Sequence, residues 1–322
     1  MRLAGNRFVI IGRAGMDIYP DPPGTRTEEA SHFFACLGGS SANIGVAITK
    51  LGGSADLVTC VSDDAIGRFA LNELDKYGVG RAHVRSVGGE ARNSLAVVES
   101  RIEDHQSVIY RNGAADFEMT MADVEAVDYS QYDALITTGT VFAADPSRAA
   151  AFRGFELAKA AGLPLIFDID YRPYSWPSAQ VAADVYSRAG AMCDVIVGND
   201  VEFGFMAGDY DRGLDKARDL VAQGARLAVY KMGEKGAITI TPDGDITTGI
   251  YPTNALKPTG AGDSFMGGLV AGLAGGKSVR DAVLQGSASA AMVVARVGCA
   301  PAMPSTPELE DFLERHAAPN SV

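Results

Sequence analysis

Residues 163–170 read LPLIFDID. The run lacks polar alternation, so a strand formed here must be covered on both faces, and it ends in aspartates. Such strands belong to mostly parallel sheets, where binding groups collect at the carboxyl ends. Comparable runs recur at 7–11 (RFVII), 55–60 (ADLVTC), 134–139 (ALITTG), 194–199 (DVIVGN), 227–233 (LAVYKMG) and 236–242 (GAITITP). Segments of helical length separate them at 40–52, 64–77, 147–161, 179–191, 200–207, 212–223, 261–274, 279–296 and 307–316. The alternation predicts an α/β fold, with helices on both faces of a mostly parallel sheet.

Two stretches break this rhythm. Residues 15–37 contain YPDPPG and no helical period, and residues 91–112 read as two strands joined near EDH. Both predict a small β-sheet projecting from the body, either a lid over a cleft or an ordinary edge hairpin. The chain has 322 residues with 47% hydrophobic and 21% charged, enough for a full core. Its net charge of −12 argues against a nucleic-acid partner. Cys36, Cys60, Cys193 and Cys299 lack metal-site spacing and read as reduced, buried thiols of a cytoplasmic protein. The N-terminal apolar run is too short for a signal sequence or membrane span.

The segment 258–276, PTGAGDSFMGGLVAGLAGG, carries the strongest chemical signal. Pro258 ends a ladder, and Gly260 and Gly262 permit close backbone approach by a ligand. A helix from Ala261 would aim free amides at an anion, with Asp263 in its first turn. An acid there also serves as an ordinary helix stabiliser. Asp17, Asp168, Asp170, Asn199 and Lys231 each follow a predicted strand, so they converge on one edge. Gly38 and Gly39, followed by Ser40, Ser41 and Asn43, make a second glycine turn before a helix, suited either to capping or to hydroxyl recognition. There is no Gly-x4-Gly-Lys-Ser/Thr, and the glycines of GGLVAGLAGG fall within a helix, which disfavours a dinucleotide dehydrogenase.

The segments GGSSAN (38–43), VSDDAIGRFALNELDKYGV (61–79), GNDVEF (198–203), KMGEKGA (231–237) and PTGAGDSF (258–265) together resemble the ribokinase-like (PfkB) family of carbohydrate kinases. The likeness spans nearly the whole chain. It implies one domain over 1–322, a three-layer sandwich with a β lid from insertions at about 13–37 and 88–114. It further implies ATP and Mg²⁺, a sugar substrate and a homodimer formed through the lid. Carried over by position, Asp263 is the catalytic base, and the amides of Gly260, Ala261 and Gly262 form the anion hole. Lys231, Gly233, Gly236, Thr259 and Asn199 hold nucleotide, and Asn199 and Glu202 support Mg²⁺ through water. Asp17, Gly38, Gly39, Asn43, Arg111, Asp170 and Arg172 hold the sugar. A non-catalytic sensor on the same fold is the alternative from another class.

DIDYRPYSW (168–176) resembles the branch acting on keto-deoxy sugar acids, where the arginine, here Arg172, faces the substrate carboxylate. FDIDYRPYSWPS, KPTGAGDSF and VARVGCAPAMPSTPELEDFL (294–313) narrow the resemblance to enzymes of inositol breakdown. The implied reaction is phosphorylation of 5-dehydro-2-deoxy-D-gluconate at its 6-hydroxyl, with 2-dehydro-3-deoxygluconate kinase and fructokinase as alternatives. Lys257 stands where many relatives have an aspartate that helps hold a monovalent cation. A lysine would repel K⁺, so K⁺ is expected not to be required. The alternative is a lysine pointing to solvent.

Overall fold

The computed structural model describes residues 1–319. Its strands are β1 (Arg7–Ile11), β2 (Gly15–Asp21), β3 (His32–Gly38), β4 (Ser54–Ser62), β5 (Gly80–Val87), β6 (Leu95–Val98), β7 (Ser107–Tyr110), β8 (Ala134–Thr138), β9 (Leu165–Asp168), β10 (Val195–Asn199), β11 (Leu227–Lys231), β12 (Ala237–Thr241) and β13 (Gly244–Thr248). The helices are α1 (Ser40–Lys50), α2 (Ala65–Tyr77), α3 (Met121–Glu125), α4 (Ser147–Ala160), α5 (Ala179–Met192), α6 (Asp200–Ala207), α7 (Gly213–Ala222), α8 (Ala261–Ala274), α9 (Val279–Val294) and α10 (Thr306–Arg315).

The doubly apolar strands behave as their sequence demands. In β9, Leu165 and Phe167 enter the core under α4 and α5, while Ile166 enters the opposite core beneath α1, α8 and α9. Val9 and Ile11 of β1 likewise face one layer, and Phe8 and Ile10 the other. Period-two side-chain alternation thus buries every residue of a run when both faces are covered. The large sheet has the order β13-β12-β11-β10-β9-β8-β1-β4-β5, parallel from β11 to β5, with β12 and β13 antiparallel at one edge.

Between β1 and β8 the strand order reverses, which opens a crevice above their carboxyl ends. A second sheet, ordered β3-β2-β6-β7, rises beside this point from the chain that follows β1 and β5. Its strands fall within the two stretches that lacked helical period, except that β3 runs one residue further, to Gly38. Asp17, Tyr19, Cys36 and Ala96 share its buried face. Phe33, Val108 and Tyr110 lie on the opposite face, 44%, 48% and 61% exposed.

The glycines of α8 serve packing. A Cβ on Gly267 would stand 2.3 Å from Ala47 Cβ, and one on Gly268 would stand 2.9 Å from Gly286 Cα. Only glycine lets α8 approach α1 and α9 this closely.

Candidate active site

The loop 256–260 is fastened before α8 begins. Leu256 and Lys257 donate backbone N–H bonds to Val294 O at 2.8 and 3.3 Å. Gly260 takes φ +86° at the helix N-cap, and no side chain caps the helix. A Cβ there would also meet Cys299 Sγ at 2.8 Å, so glycine is required on two counts. The first amides of α8 therefore remain available to an anion.

Lys257 is fully buried, and its Nζ donates to Thr259 O at 2.5 Å. The solvent-pointing alternative is thus overturned. Its ammonium sits beneath the loop that presents the free amides, and its charge lowers the pKa of Asp17.

Asp263 occupies the first turn of α8, where Asn43 Nδ2 donates to its Oδ2 at 3.2 Å. Burial, then Asp170, push its carboxyl up to about 7 against the pull of Arg172 and Asn43. Asp170 sits at φ +38°, a left-handed position unusual for a side-chain residue. Ser40 Oγ donates to it at 2.5 Å, and Arg172 pairs with it at 2.7 Å. Burial alone would raise the Asp170 pKa, yet Arg172 and Ser40 hold it below the usual carboxylate range. Trp176 packs inward against Tyr186 with ring centroids 5.1 Å apart.

Asp17 lies across the crevice, its carboxyl raised to about 6 by burial despite Arg13 and Lys257. Gly38 is obligatory beside it, since a Cβ would stand 2.0 Å from Asp17 Oδ1. A Cβ on Gly39 would lie 2.4 Å from Arg13 O. Arg111 is buried, paired with Asp116, and donates to Thr140 O at 2.9 Å.

Asn199 and Glu202 form a capping box at the start of α6: Asn199 Oδ1 accepts from Glu202 N, and Glu202 Oε2 from Asn199 N. Glu202 Oε1 accepts from Tyr171 N at 3.2 Å. Lys231, at the end of β11, places Nζ 3.8 Å from where a Cβ on Gly262 would stand. Asp168 is raised to about 8, chiefly by burial, with Glu202, Asp170 and Asp263 adding to it and Lys231 opposing. Gly233 and Gly236 line the turn after Lys231 at φ +58° and +84°, and a Cβ on Gly236 would stand 2.0 Å from Thr248 O. Backbone geometry accounts for Gly236 without any ligand.

The arrangement sets a carboxyl tuned to take a proton beside uncapped helix amides and a lysine. That constellation suits transfer of a phosphoryl group to a hydroxyl. Residues 6–306 match the family described as pfkB family carbohydrate kinase. The chain belongs to that family. This kinase is 35% identical over 312 residues to 5-dehydro-2-deoxygluconokinase of Photobacterium profundum, covering 95% of this chain and 94% of the relative. A Vibrio cholerae O395 fructokinase double mutant, solved with fructose, ADP and potassium ion, superposes with TM-score 0.85 at 26% identity, covering 97% of this kinase and 99% of that chain. An E. coli protein described as ribokinase II, solved with ATP and Mg²⁺, shares the fold at TM-score 0.85 and 20% identity, covering 97% and 100%. The kinase is a phosphotransferase acting on a sugar hydroxyl, built on the ribokinase-like fold.

Sequence reasoning missed Arg13 and the burial of Lys257. It named Ser40 only as a helix start, although its hydroxyl fixes Asp170. Arg13 lies in the short stretch IGRAG that follows the first strand, and nothing in that stretch signals that the side chain is buried against Ser94 of the small-sheet segment.

Proposed function

We propose that this kinase transfers the terminal phosphoryl group of ATP to the 6-hydroxyl of 5-dehydro-2-deoxy-D-gluconate. The observation that carries the reading is the arginine-bearing end of the crevice, where Arg111 and Arg172 act on the field around Asp170 opposite Asp263. Guanidinium groups there suit a sugar acid. The full-length relatives bearing that enzyme name support the choice. Asp17, Gly38, Gly39, Asn43 and Asp170 hold the sugar hydroxyls in this reading.

Asp263 takes the hydroxyl proton as attack on phosphorus proceeds. The amides of Gly260, Ala261 and Gly262 stabilise negative charge on the moving group, and Lys231 neutralises phosphate oxygens from the other side. The uncapped amides and the open space over Gly262 facing Lys231 Nζ fit phosphates well. Thr259, Gly233 and Gly236 belong to the backbone framing the nucleotide. Mg²⁺ supplies charge neutralisation at the phosphates. Each Glu202 oxygen already accepts one backbone N–H, and among the described residues no cluster of three or more His, Cys, Asp or Glu suits a metal. That donor set fits a hydrated ion held through water by Asn199 and Glu202.

The buried ammonium of Lys257 supplies the fixed positive charge under the anion loop, so K⁺ is not needed. The chain forms one ribokinase-like domain in which 13–37 and 88–114 act as the lid. Its outer apolar face, with Phe33, Val108 and Tyr110, fits a second copy of the chain. Phe33→Glu would leave a monomer by sedimentation if this face forms the dimer. An unchanged dimer would dismiss it. The four free, buried thiols suit the reducing cytoplasm.

ADP release measured with Mg-ATP and three acceptors tests the reaction. The highest kcat/KM is expected for 5-dehydro-2-deoxy-D-gluconate. A higher value for 2-dehydro-3-deoxy-D-gluconate or fructose would select that substrate instead, and binding without ADP release would leave a sensor.

A further inference from the structure

Arg13 lies between β1 and β2, at the point where the strand order reverses. The residue is only 6% exposed. Its Nη1 donates to Ser94 Oγ at 2.9 Å, and its Nε is buried with no hydrogen-bond partner. Arg111 is paired with Asp116, and Arg172 with Asp170, but Arg13 forms no ion pair among the described residues. Arg111 also leaves its Nε buried and unpartnered. Arg111 repels Arg13, while Asp116, Asp17 and Asp170 attract it from beyond pairing distance.

A buried guanidinium without a counter-ion bears a desolvation cost that packing does not return. Arg111, although paired with Asp116, also leaves its Nε idle, and the two like charges repel each other. The Ser94 hydroxyl accepts one hydrogen bond but carries no neutralising charge. An anion placed between them would relieve both costs at once.

We propose that Arg13, acting with Arg111, binds the carboxylate of the sugar-acid substrate and sets the preference for an acid over a neutral sugar of equal length. The inference rests on the sugar-acid reading above. Arg172 is the weaker candidate: its side chain is 42% exposed, and unlike Arg13 and Arg111 it leaves no buried nitrogen unpartnered among the described residues. Planar N–H donors match a carboxylate in two-point contact, which a neutral hydroxymethyl group cannot reproduce.

The test compares 5-dehydro-2-deoxy-D-gluconate with the same sugar bearing CH₂OH in place of its carboxylate, in wild type, Arg13→Gln and Arg13→Lys. Arg13→Gln should raise KM for the acid about 100-fold, as loss of a buried charged contact does. KM for the alcohol should hardly move, so the acid-to-alcohol ratio collapses, and kcat for the acid should fall far less than KM rises. Arg13→Lys should restore part of the ratio. Without substrate, Arg13→Gln should melt no lower than wild type, because it removes an unpaired buried charge.

An unchanged acid-to-alcohol ratio in a folded Arg13→Gln overturns the assignment. So does an equal KM rise for both sugars. Should Arg13→Gln not fold, the ratio in Arg13→Lys decides: a wild-type ratio overturns the assignment and a reduced one supports it. A wild type that does not prefer the acid overturns the sugar-acid reading itself, whereas a wild type with that preference isolates the result to Arg13.

Discussion

Asp263 is a carboxyl whose surroundings oppose its charge, and that opposition suits a proton acceptor. With its pKa raised to about 7 by burial and by Asp170, it is half ionised near neutrality. Only the ionised form can take the hydroxyl proton, so kcat/KM should fall as pH drops below about 7, with an acid limb near that value. An acid limb near 4 would show that another group sets the profile. Asp263→Asn should lose roughly 10³-fold or more in kcat while retaining ATP affinity in a binding titration. Lys257 makes a second residue-scale prediction. Wild-type turnover should be nearly the same in K⁺ and Na⁺ at fixed ionic strength. Lys257→Ala removes both the ammonium and its bond to Thr259 O, and should lower kcat about 10- to 100-fold, the worth of a charged hydrogen bond. Strong K⁺ stimulation of wild type, or full activity of the variant without K⁺, would refute the role given to the ammonium.

At the scale of elements, α8 links packing to chemistry. Its amino end presents the amides, and its glycine-rich middle lies against α1 and α9, so a shift of the helix moves the anion loop with it. Gly268→Ala puts a Cβ 2.9 Å from Gly286 Cα, a backbone contact that cannot give way cheaply. It should cost about 1–3 kcal/mol by denaturant unfolding at an unchanged slope, and kcat should fall as well. No change in midpoint would mean that the helices separate freely. The boundaries of α6 and α8 were legible, since capping residues and small-residue runs are local signals. β5 (GRAHVRSV) and β13 (GDITT) were not: they are edge strands whose charged, exposed residues disguise the apolar pattern. The five-residue α3 is too short to show a period. Asp263 and the glycine loop could be read because their role lies in consecutive residues. The Ser40 bond to Asp170 spans 130 positions, and the burial of Lys257 depends on Val294 and Cys299. Such contacts exist only once distant elements have packed.

Across the whole molecule, parallel strands bring carboxyl groups from distant parts of the chain into one crevice, and this concentration shapes stability. Asp17, Asp263 and Asp168 have folded pKa values raised to about 6, 7 and 8, against an ordinary 3.8. The folded state therefore holds protons that the unfolded chain has already released, and stability from these groups declines as pH rises from about 4 to 8. Asp64, Asp123, Asp170, Glu99 and Glu308 act with the opposite sign. Their depressed pKa values lend stability above the ordinary carboxyl range, and this is lost on acidification below it. The two sets together place the stability maximum of the ligand-free protein near pH 4, where the two windows meet. A net charge of −12 at pH 7 steepens the decline on the alkaline side through self-repulsion. Melting temperatures measured from pH 3 to 9 at constant ionic strength should peak near pH 4 and fall toward pH 8. In Asp263→Asn the fall should be shallower, because one of the raised carboxyls is gone and the amide carries no charge to desolvate. A melting temperature that climbs steadily to pH 8 would mean that these aspartates reach water in the folded protein, and would remove the basis for Asp263 as a base tuned by burial.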